Sequence, residues 1–187
     1  MIPKHYLEVS LLPHEDYSIS SALNQTNQLL HGLIKGSGGR IALAFPDLRG
    51  VNIGQRIRLF SDYADTLNDI LVIINKHFYF RDYCRVTEVK SILGSYNGRF
   101  VSYSRFRIPT EKSDRNNSGL HARRKNEAQG LPFFHLASSS TNQSFMLRFA
   151  VEYADAYAGE FLPNSYGLGS STGKVFVPAL NEPANEE

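Results

Sequence analysis

The first half of the sequence alternates between two hydrophobic periodicities, and this alternation constrains the fold more than any other feature. Residues 5–12 place apolar side chains at every second position, as in a strand with one buried face, and Pro13 ends the run. From Ser18 or Ser20, apolar residues recur at helical spacing as far as Ile34, where a glycine-rich loop follows. These segments predict a strand and then an amphipathic helix with a serine N-cap.

The same two periodicities continue in the segments that follow. The predicted strands are 40–45, 56–61 and 84–92, and a second helix is expected after a cap at Ser61 or Asp62. The order β-α-β-β-α-β is that of the ferredoxin-like, or RRM-like, arrangement, whose sheet many RNA-binding modules use. We therefore expect an α+β fold with a ferredoxin-like domain at residues 1–95.

The second half of the sequence is less regular. We expect a smaller, irregular C-terminal α/β region with a basic segment at 96–180, and a disordered acidic tail at 181–187. Within that region the predicted elements are a strand at 100–108, a weakly helical polar segment at 114–129, strands at 131–136 and 145–153, and a glycine-spaced hairpin over 166–177.

Positive charge is concentrated in one part of the chain. The formal net charge is only +2, yet residues 96–129 hold eight Lys and Arg against three Asp and Glu. Few acidic residues stand at helical i±4 spacing from these cations, so we expect them to remain available to a polyanion such as RNA. The cations are Arg99, Arg105, Arg107, Lys112, Arg115, Arg123, Arg124 and Lys125.

Thiol chemistry, metal sites and membrane spans are not indicated by the sequence. The single cysteine, Cys84, cannot form an internal disulfide and is expected to be a buried small side chain. The six histidines are scattered without metal-ligand spacing, so we expect neither a metal nor another cofactor. No apolar stretch is long enough to cross a membrane, and acidic residues follow the first residues too soon for a secretory signal, so a cytoplasmic protein is expected.

His31 occupies the most suggestive position among the histidines. It lies near the end of the first predicted helix, where the negative end of the helix dipole is expected to raise its pKa. Cleavage of RNA without a metal needs a group that takes a proton from the ribose 2′-OH and donors that hold the phosphate. A histidine and nearby hydroxyls are sufficient for this chemistry, although a helix histidine alone is more often structural.

Several stretches in the same order resemble one known family, the CRISPR repeat-processing endoribonucleases of subtype I-F systems. The most specific is a helix histidine followed by Gly-Gly-Arg, an apolar strand and Phe-Pro-Asp-Leu, and the next is Ser-x-Ser-Thr followed closely by Phe, with Tyr-Gly-Leu near the C-terminus. The quoted stretches are HYLEVSLLP, LLHGLIKGSGGRIALAFPDL, GQRIRLFS, YSRFR, LPFFHLASSSTNQSF and SYGLGSSTGKVFVP, which extend to Pro178.

The resemblance implies roles for matching positions. His31 would be the general base, Ser138 would hold the attacking hydroxyl or its ribose, Ser140 would lie near the phosphate, and Tyr166 would orient His31. Phe145 would stack on the base pair at the foot of an RNA hairpin. The reaction implied is metal-independent and leaves a 2′,3′-cyclic phosphate and a 5′-OH.

The resemblance also implies binding residues and partners. Arg105 and Arg107 would read base edges at the foot of the hairpin, although Arg107 stands where the family pattern leads us to expect glutamine. The basic segment with Lys112, Arg115, Arg123, Arg124 and Lys125 would contact the stem, but it is shorter than the family's arginine-rich helix. The implied partners are pre-crRNA, mature crRNA and other subunits of the crRNA-guided surveillance complex, with a monomer expected when the protein is alone.

Two alternative functions are compatible with the same residues. One is a non-catalytic RNA-hairpin-binding module in which His31 and Ser138 are structural. The other is a DNA-binding protein that uses the same basic segment. A cleaved product separates the endoribonuclease from the first alternative, and a comparison of RNA with the equivalent DNA hairpin separates it from the second.

Overall fold

The computed structural model describes residues 2–15, 17–110, 119–137 and 143–180, and it confirms the predicted α+β class. The predicted tail, 181–187, lies outside the described residues. The described strands are β1 (His5–Leu11), β2 (Ala42–Ala44), β3 (Arg56–Ser61), β4 (Cys84–Val86), β5 (Lys90–Ser91), β6 (Phe100–Phe106), β7 (Phe133–Ala137), β8 (Ser144–Ala154) and β9 (Phe176–Pro178), and the helices are α1 (Ile19–Gly36), α2 (Ala64–Lys76), α3 (Phe78–Tyr83) and α4 (Leu120–Glu127).

The first sheet has the strand order β2-β3-β1-β4, and every neighbouring pair is antiparallel. The predicted fourth strand, 84–92, is interrupted: β4 and β5 both pair with β1, and Thr87 between them hydrogen-bonds with Glu8 through its backbone and its hydroxyl. The short helix α3, which precedes β4, was not predicted. The ferredoxin-like assignment within the α+β class stays a prediction.

The two long helices begin in different ways. In α1 the Ser18 hydroxyl accepts a hydrogen bond from the Ser21 N–H, as the serine N-cap prediction requires. In α2 the prediction of a cap at Ser61 or Asp62 is wrong, because the helix starts after Tyr63, which makes no side-chain cap. Ser61 is the last residue of β3, and its hydroxyl accepts from the Tyr63 N–H in the turn before the helix.

The second sheet has the strand order β7-β8-β6-β9 and is also antiparallel. The predicted C-terminal hairpin is wrong. Gly169 forms a parallel bridge with Ser104, and β9 pairs with β6 instead of with the preceding segment. The turn from Ser170 to Gly173 is formed, but the segments on its two sides bond to β6.

One apolar core joins the two sheets. The ring of Phe45, just after β2, lies 5.0 Å from Tyr103, 5.2 Å from Phe134 and 5.1 Å from Phe149, measured between centroids. Burial of each such ring contributes roughly 1.5–3 kcal/mol. The predicted domain boundary near residue 95 lies between β5 and β6. The apolar core is continuous across this boundary. The division into two domains stays a prediction.

Gly167 brings the C-terminal loop against the first sheet. Its carbonyl accepts a 2.7 Å hydrogen bond from the Leu43 N–H, and its φ is 72°. A Cβ at this position would lie 2.8 Å from Leu43 Cγ, so both the backbone conformation and the close approach favour glycine. Tyr166 is thereby placed beside the core.

Cys84 is buried, as predicted, and burial raises the pKa of its thiol to about 11. No helix within the described ranges combines the length and the apolar character that a bilayer crossing requires.

Candidate functional site

The ring of Tyr166 contacts several of the predicted site residues. The imidazole of His31 stacks on it with centroids 4.4 Å apart and an interplanar angle of 18°. The guanidinium carbon of Arg105 lies 4.7 Å from the centroid of the same ring. His31 lies on α1, Arg105 on β6 and Tyr166 in the C-terminal loop. The structure thus brings together site residues that were predicted from three separate stretches of sequence.

His31 is held in place by the helix that carries it. Its neighbours Leu30 and Ile34 are fully buried and fix α1 on the core, which leaves His31 half-buried at the rim. Leu30 and Ile34 belong to the apolar stripe that predicted this helix, and His31 lies beside that stripe rather than within it.

Tyr166 is positioned by Asn164, a residue that the sequence analysis did not single out. The Asn164 Oδ1 atom accepts hydrogen bonds from the N–H groups of Tyr166 (2.8 Å) and Leu168 (3.3 Å), and its Nδ2 donates to the Gly169 carbonyl (3.1 Å). Asparagine side chains commonly bond to the backbone two residues further on, so the Asn-Ser-Tyr-Gly stretch could have indicated a turn that positions Tyr166.

The pKa of His31 is lowered, so the prediction that the helix dipole would raise it is wrong. Burial is the largest cause, and the positive charges of Lys35 and Arg105 follow. Lys35 stands four residues after His31 on the same helix face, and Arg105 reaches the site from β6. Desolvation and two cations disfavour the imidazolium more than the helix end favours it. At neutral pH the neutral imidazole is therefore the favoured form.

Arg105 and Phe145 complete the described part of the site. The backbone N–H of Arg105 donates to the Gly169 carbonyl at 2.9 Å, and this bond joins β6 to the loop that carries Tyr166. Burial lowers the pKa of Arg105, with the nearby Arg107 contributing, but a guanidinium remains charged in proteins. The half-buried Phe145 ring lies edge-on to Tyr166 with centroids 6.4 Å apart.

The predicted basic residues differ in their exposure and in their contacts with other side chains. Arg107 is exposed beside Arg105. In α4, Arg123 is 69% exposed, whereas the Arg124 guanidinium packs over the Phe106 ring at 4.0 Å. The expectation that few acidic residues neutralise this segment is wrong for α4, since Glu127 forms ion pairs with both arginines. Lys125 is also exposed on this short helix.

Four predicted site residues lie outside the described residues. They are Ser138, Ser140, Lys112 and Arg115. The last described residue before the serines is Ala137, which ends β7 beside α1. Among the described residues, no group of three His, Cys, Asp or Glu side chains could hold a metal ion.

Comparison with known protein families identifies a relationship. A family model described as CRISPR-associated protein (Cas_Csy4) matches residues 6–179, which is nearly the whole chain. A comparison with curated proteins gives no match.

Proposed function

Because the chain belongs to the Cas_Csy4 family of CRISPR-associated endoribonucleases, which process CRISPR repeat RNA, we propose that it cleaves its repeat RNA without a metal and with His31 as the general base. The observation that carries this proposal is the contact of His31 and Arg105 with the single ring of Tyr166. A group able to accept a proton and a fixed cation lie side by side, as 2′-OH attack on a phosphate requires.

The proposed step is an intramolecular transfer of phosphate. Neutral His31 takes the proton of the ribose 2′-OH, and the oxygen attacks the adjacent phosphorus. The bond from phosphorus to the 5′ oxygen breaks, that oxygen receives a proton from water, and His31 releases its own proton to the solvent. The products are a 2′,3′-cyclic phosphate and a 5′-OH. The lowered pKa of His31 supports this role, since a base must be unprotonated at the pH at which it works.

The other site residues serve positioning and charge in this proposal. Tyr166 restrains the imidazole by stacking, and Arg105 with Arg107 contacts the foot of the hairpin. Phe145 offers a half-buried ring to the last base pair. By resemblance, Ser138 would hold the ribose and Ser140 would lie near the phosphate.

Binding of the hairpin stem falls to the exposed cations of the basic segment. Arg123 and Lys125 are exposed on α4, and phosphate contacts of this kind supply affinity that depends on salt. We propose further that the protein keeps the hairpin product in the cytoplasm and remains with crRNA in the surveillance complex, as the family resemblance implies.

Cleavage of a synthetic RNA of the CRISPR repeat from the same genome tests the proposal. Wild-type protein should cut it in EDTA, leave a cyclic phosphate, and fail on RNA with 2′-deoxyribose at the cleavage nucleotide. His31→Ala should lose roughly 10²- to 10⁴-fold in single-turnover rate with hairpin affinity retained. The matched control is His77→Ala, since His77 joins α2 to α3 outside the site.

Three results would contradict the proposal. They are cleavage that EDTA abolishes, full activity of the His31→Ala protein, and retention of intact RNA by the wild type. The last result would favour a hairpin-binding module without catalysis.

A further inference from the structure

Strand β7 is an edge strand whose free side faces helix α1. Its other side pairs with β8, so the backbone groups of alternate residues on the free side need partners from elsewhere. Two side-chain amides of α1 provide them. Asn24 Oδ1 accepts from the His135 N–H at 2.9 Å, and Gln28 bonds to Ala137. Asn24 and Gln28 are four residues apart and share one face of the helix.

The two amides differ in how firmly they hold the strand. Asn24 makes one hydrogen bond to β7. Gln28 makes two to a single residue: its Oε1 accepts from the Ala137 N–H at 2.9 Å, and its Nε2 donates to the Ala137 carbonyl at 3.1 Å. The Gln28 amide therefore takes the place of a neighbouring strand's peptide group and fixes both the distance and the rotation of the strand end.

Gln28 also closes a ring of contacts around the site. It precedes His31 by three residues, which is about 4.5 Å along a helix. Ala137 pairs with Ser144 on β8, and Ser144 precedes Phe145, whose ring contacts Tyr166. Tyr166 stacks on His31, so the path returns to the same helix. Among the described residues of this path, the two hydrogen bonds between Gln28 and Ala137 link the helix to the end of the β7–β8 pair.

We propose that Gln28 is a positioning residue that sets the distance between the imidazole of His31 and the end of the β7–β8 pair. The inference rests on the proposed function, and it concerns geometry rather than protonation. Misplacement of reacting groups by about 1 Å can slow a reaction about 10²-fold, so removal of this bond should reduce the rate of cleavage. Gln28 does not contact Arg105, Arg107 or α4 in any described bond, so hairpin affinity should be retained.

The test compares Gln28→Met with Asn24→Leu. Each replacement keeps a similar side-chain volume and removes the amide that holds β7. Both should lower the melting temperature slightly, and amide exchange should rise at Ala137 only in Gln28→Met. Single-turnover cleavage of the repeat RNA should fall about 10- to 100-fold in Gln28→Met and less than threefold in Asn24→Leu. Affinity for the 2′-deoxy RNA should stay within twofold of wild type in both.

The pH profile separates a positioning role from an effect on His31 itself. The pKa of His31 is lowered by burial and then by the charges of Lys35 and Arg105, and the Gln28 amide is not among these causes, so the acid limb of the profile should stay where it is in the wild type. Gln28→Glu gives a second variant in case Gln28→Met does not fold. Its carboxylate can accept from the Ala137 N–H, but it places an oxygen instead of a donor against the Ala137 carbonyl, so its rate on the high-pH plateau should also fall below that of Asn24→Leu.

The outcomes distinguish this inference from the proposed function. If wild type cleaves, His31→Ala does not, and both Gln28 variants cleave like Asn24→Leu, the inference is wrong and the proposed function stands. A wild-type protein that leaves the RNA intact overturns both. Equal reductions of rate in Gln28→Met and Asn24→Leu would show that Gln28 is a general structural contact, and the inference would be wrong.

Discussion

At the scale of single residues, the proposed role of His31 as a general base depends on the protonation of its imidazole. A general base works best when its pKa lies near the working pH, and a base that is protonated cannot accept a further proton. Burial, Lys35 and Arg105 all lower the pKa of His31. Burial and the two cations thus act together to disfavour the imidazolium, and the cations would also attract an anionic phosphate.

The contribution of Lys35 can be measured by removing its charge. In Lys35→Met the pKa of His31 should rise, because one of the cations that lower it is gone. Imidazolium then persists to higher pH, so the acid limb of the single-turnover rate should move to higher pH. At a pH well above the pKa of His31 in both the wild type and Lys35→Met, the rate of cleavage should change little. Cleavage at saturating protein over pH 5–9 measures the shift, with buffers of constant ionic strength.

Lys76→Met is the control for this variant. Lys76 ends α2, and the charges that lower the pKa of His31 are those of Lys35 and Arg105. An acid limb that stays in place or moves to lower pH in Lys35→Met would contradict the assigned electrostatics.

At the scale of secondary-structure elements, helix α4 shows how one basic segment divides its arginines. The helix begins after Gly119, whose φ of 101° suits a residue without a side chain, and none of its residues from Leu120 to Glu127 is fully buried. Arg124 lies over Phe106, and Arg148 donates to the carbonyl of Ala128 at the end of the helix. Arg124 and Arg148 therefore hold α4 on the second sheet, and the helix itself contributes no buried residue to this contact.

Single replacements in α4 should separate packing from RNA binding. Arg124→Ala removes the contact with Phe106 and should lower the free energy of unfolding by about 0.5–1 kcal/mol, with little change in the salt dependence of hairpin binding. Arg123→Ala should leave stability nearly unchanged. It should weaken hairpin binding and reduce the slope of log K against log salt by about 0.9 for each phosphate that the protein no longer neutralises. Urea unfolding and binding titrations over a salt series measure the two effects.

Arg123 and Arg124 serve as controls for each other, since both pair with Glu127. Equal reductions of the salt slope in the two variants would show that Arg124 leaves Phe106 to contact RNA. An unchanged slope in both would place the RNA stem elsewhere on the protein.

At the scale of the whole molecule, a buried ionic contact supplements the apolar core that joins the two sheets. Arg58 on β3 is only 3% exposed, and its guanidinium donates to Glu8 at 2.7 and 3.1 Å. The same group donates to the carbonyl of Leu180 at 2.7 Å, in the segment that follows β9. The first sheet thus holds the chain as it leaves the second sheet.

Removal of the Glu8 charge should destabilise the whole fold. Glu8→Gln keeps the shape of the side chain but leaves the buried guanidinium without its countercharge, which should lower the free energy of unfolding by about 2–3 kcal/mol. Urea unfolding at neutral pH gives the value. Asp155→Asn is the matched control, because Asp155 is 93% exposed in its pair with Arg99, and its replacement should cost less than about 1 kcal/mol. Equal effects in the two variants would contradict the structural role of Arg58.

Features that depend on local order could be predicted from the sequence alone. Helix α1, its Ser18 cap and the first three strands follow from hydrophobic period and capping chemistry within a few residues. Local order also singled out His31 among the histidines, because it stands beside a clear apolar stripe and before a glycine loop, whereas its role as a base came from the family resemblance. Cys84 was expected to be buried because no second thiol was available to it.

The way in which distant segments meet depends on tertiary contacts that local sequence patterns do not contain. The pKa of His31 depends on burial and on Arg105 from β6, neither of which a helix dipole argument contains. The predicted hairpin gave way because β6 accepts both Gly169 and β9, and the fourth strand divided where Thr87 bonds with Glu8. Local sequence sets what each segment prefers alone, but burial and hydrogen-bond pairing between segments far apart in the chain select its final neighbours.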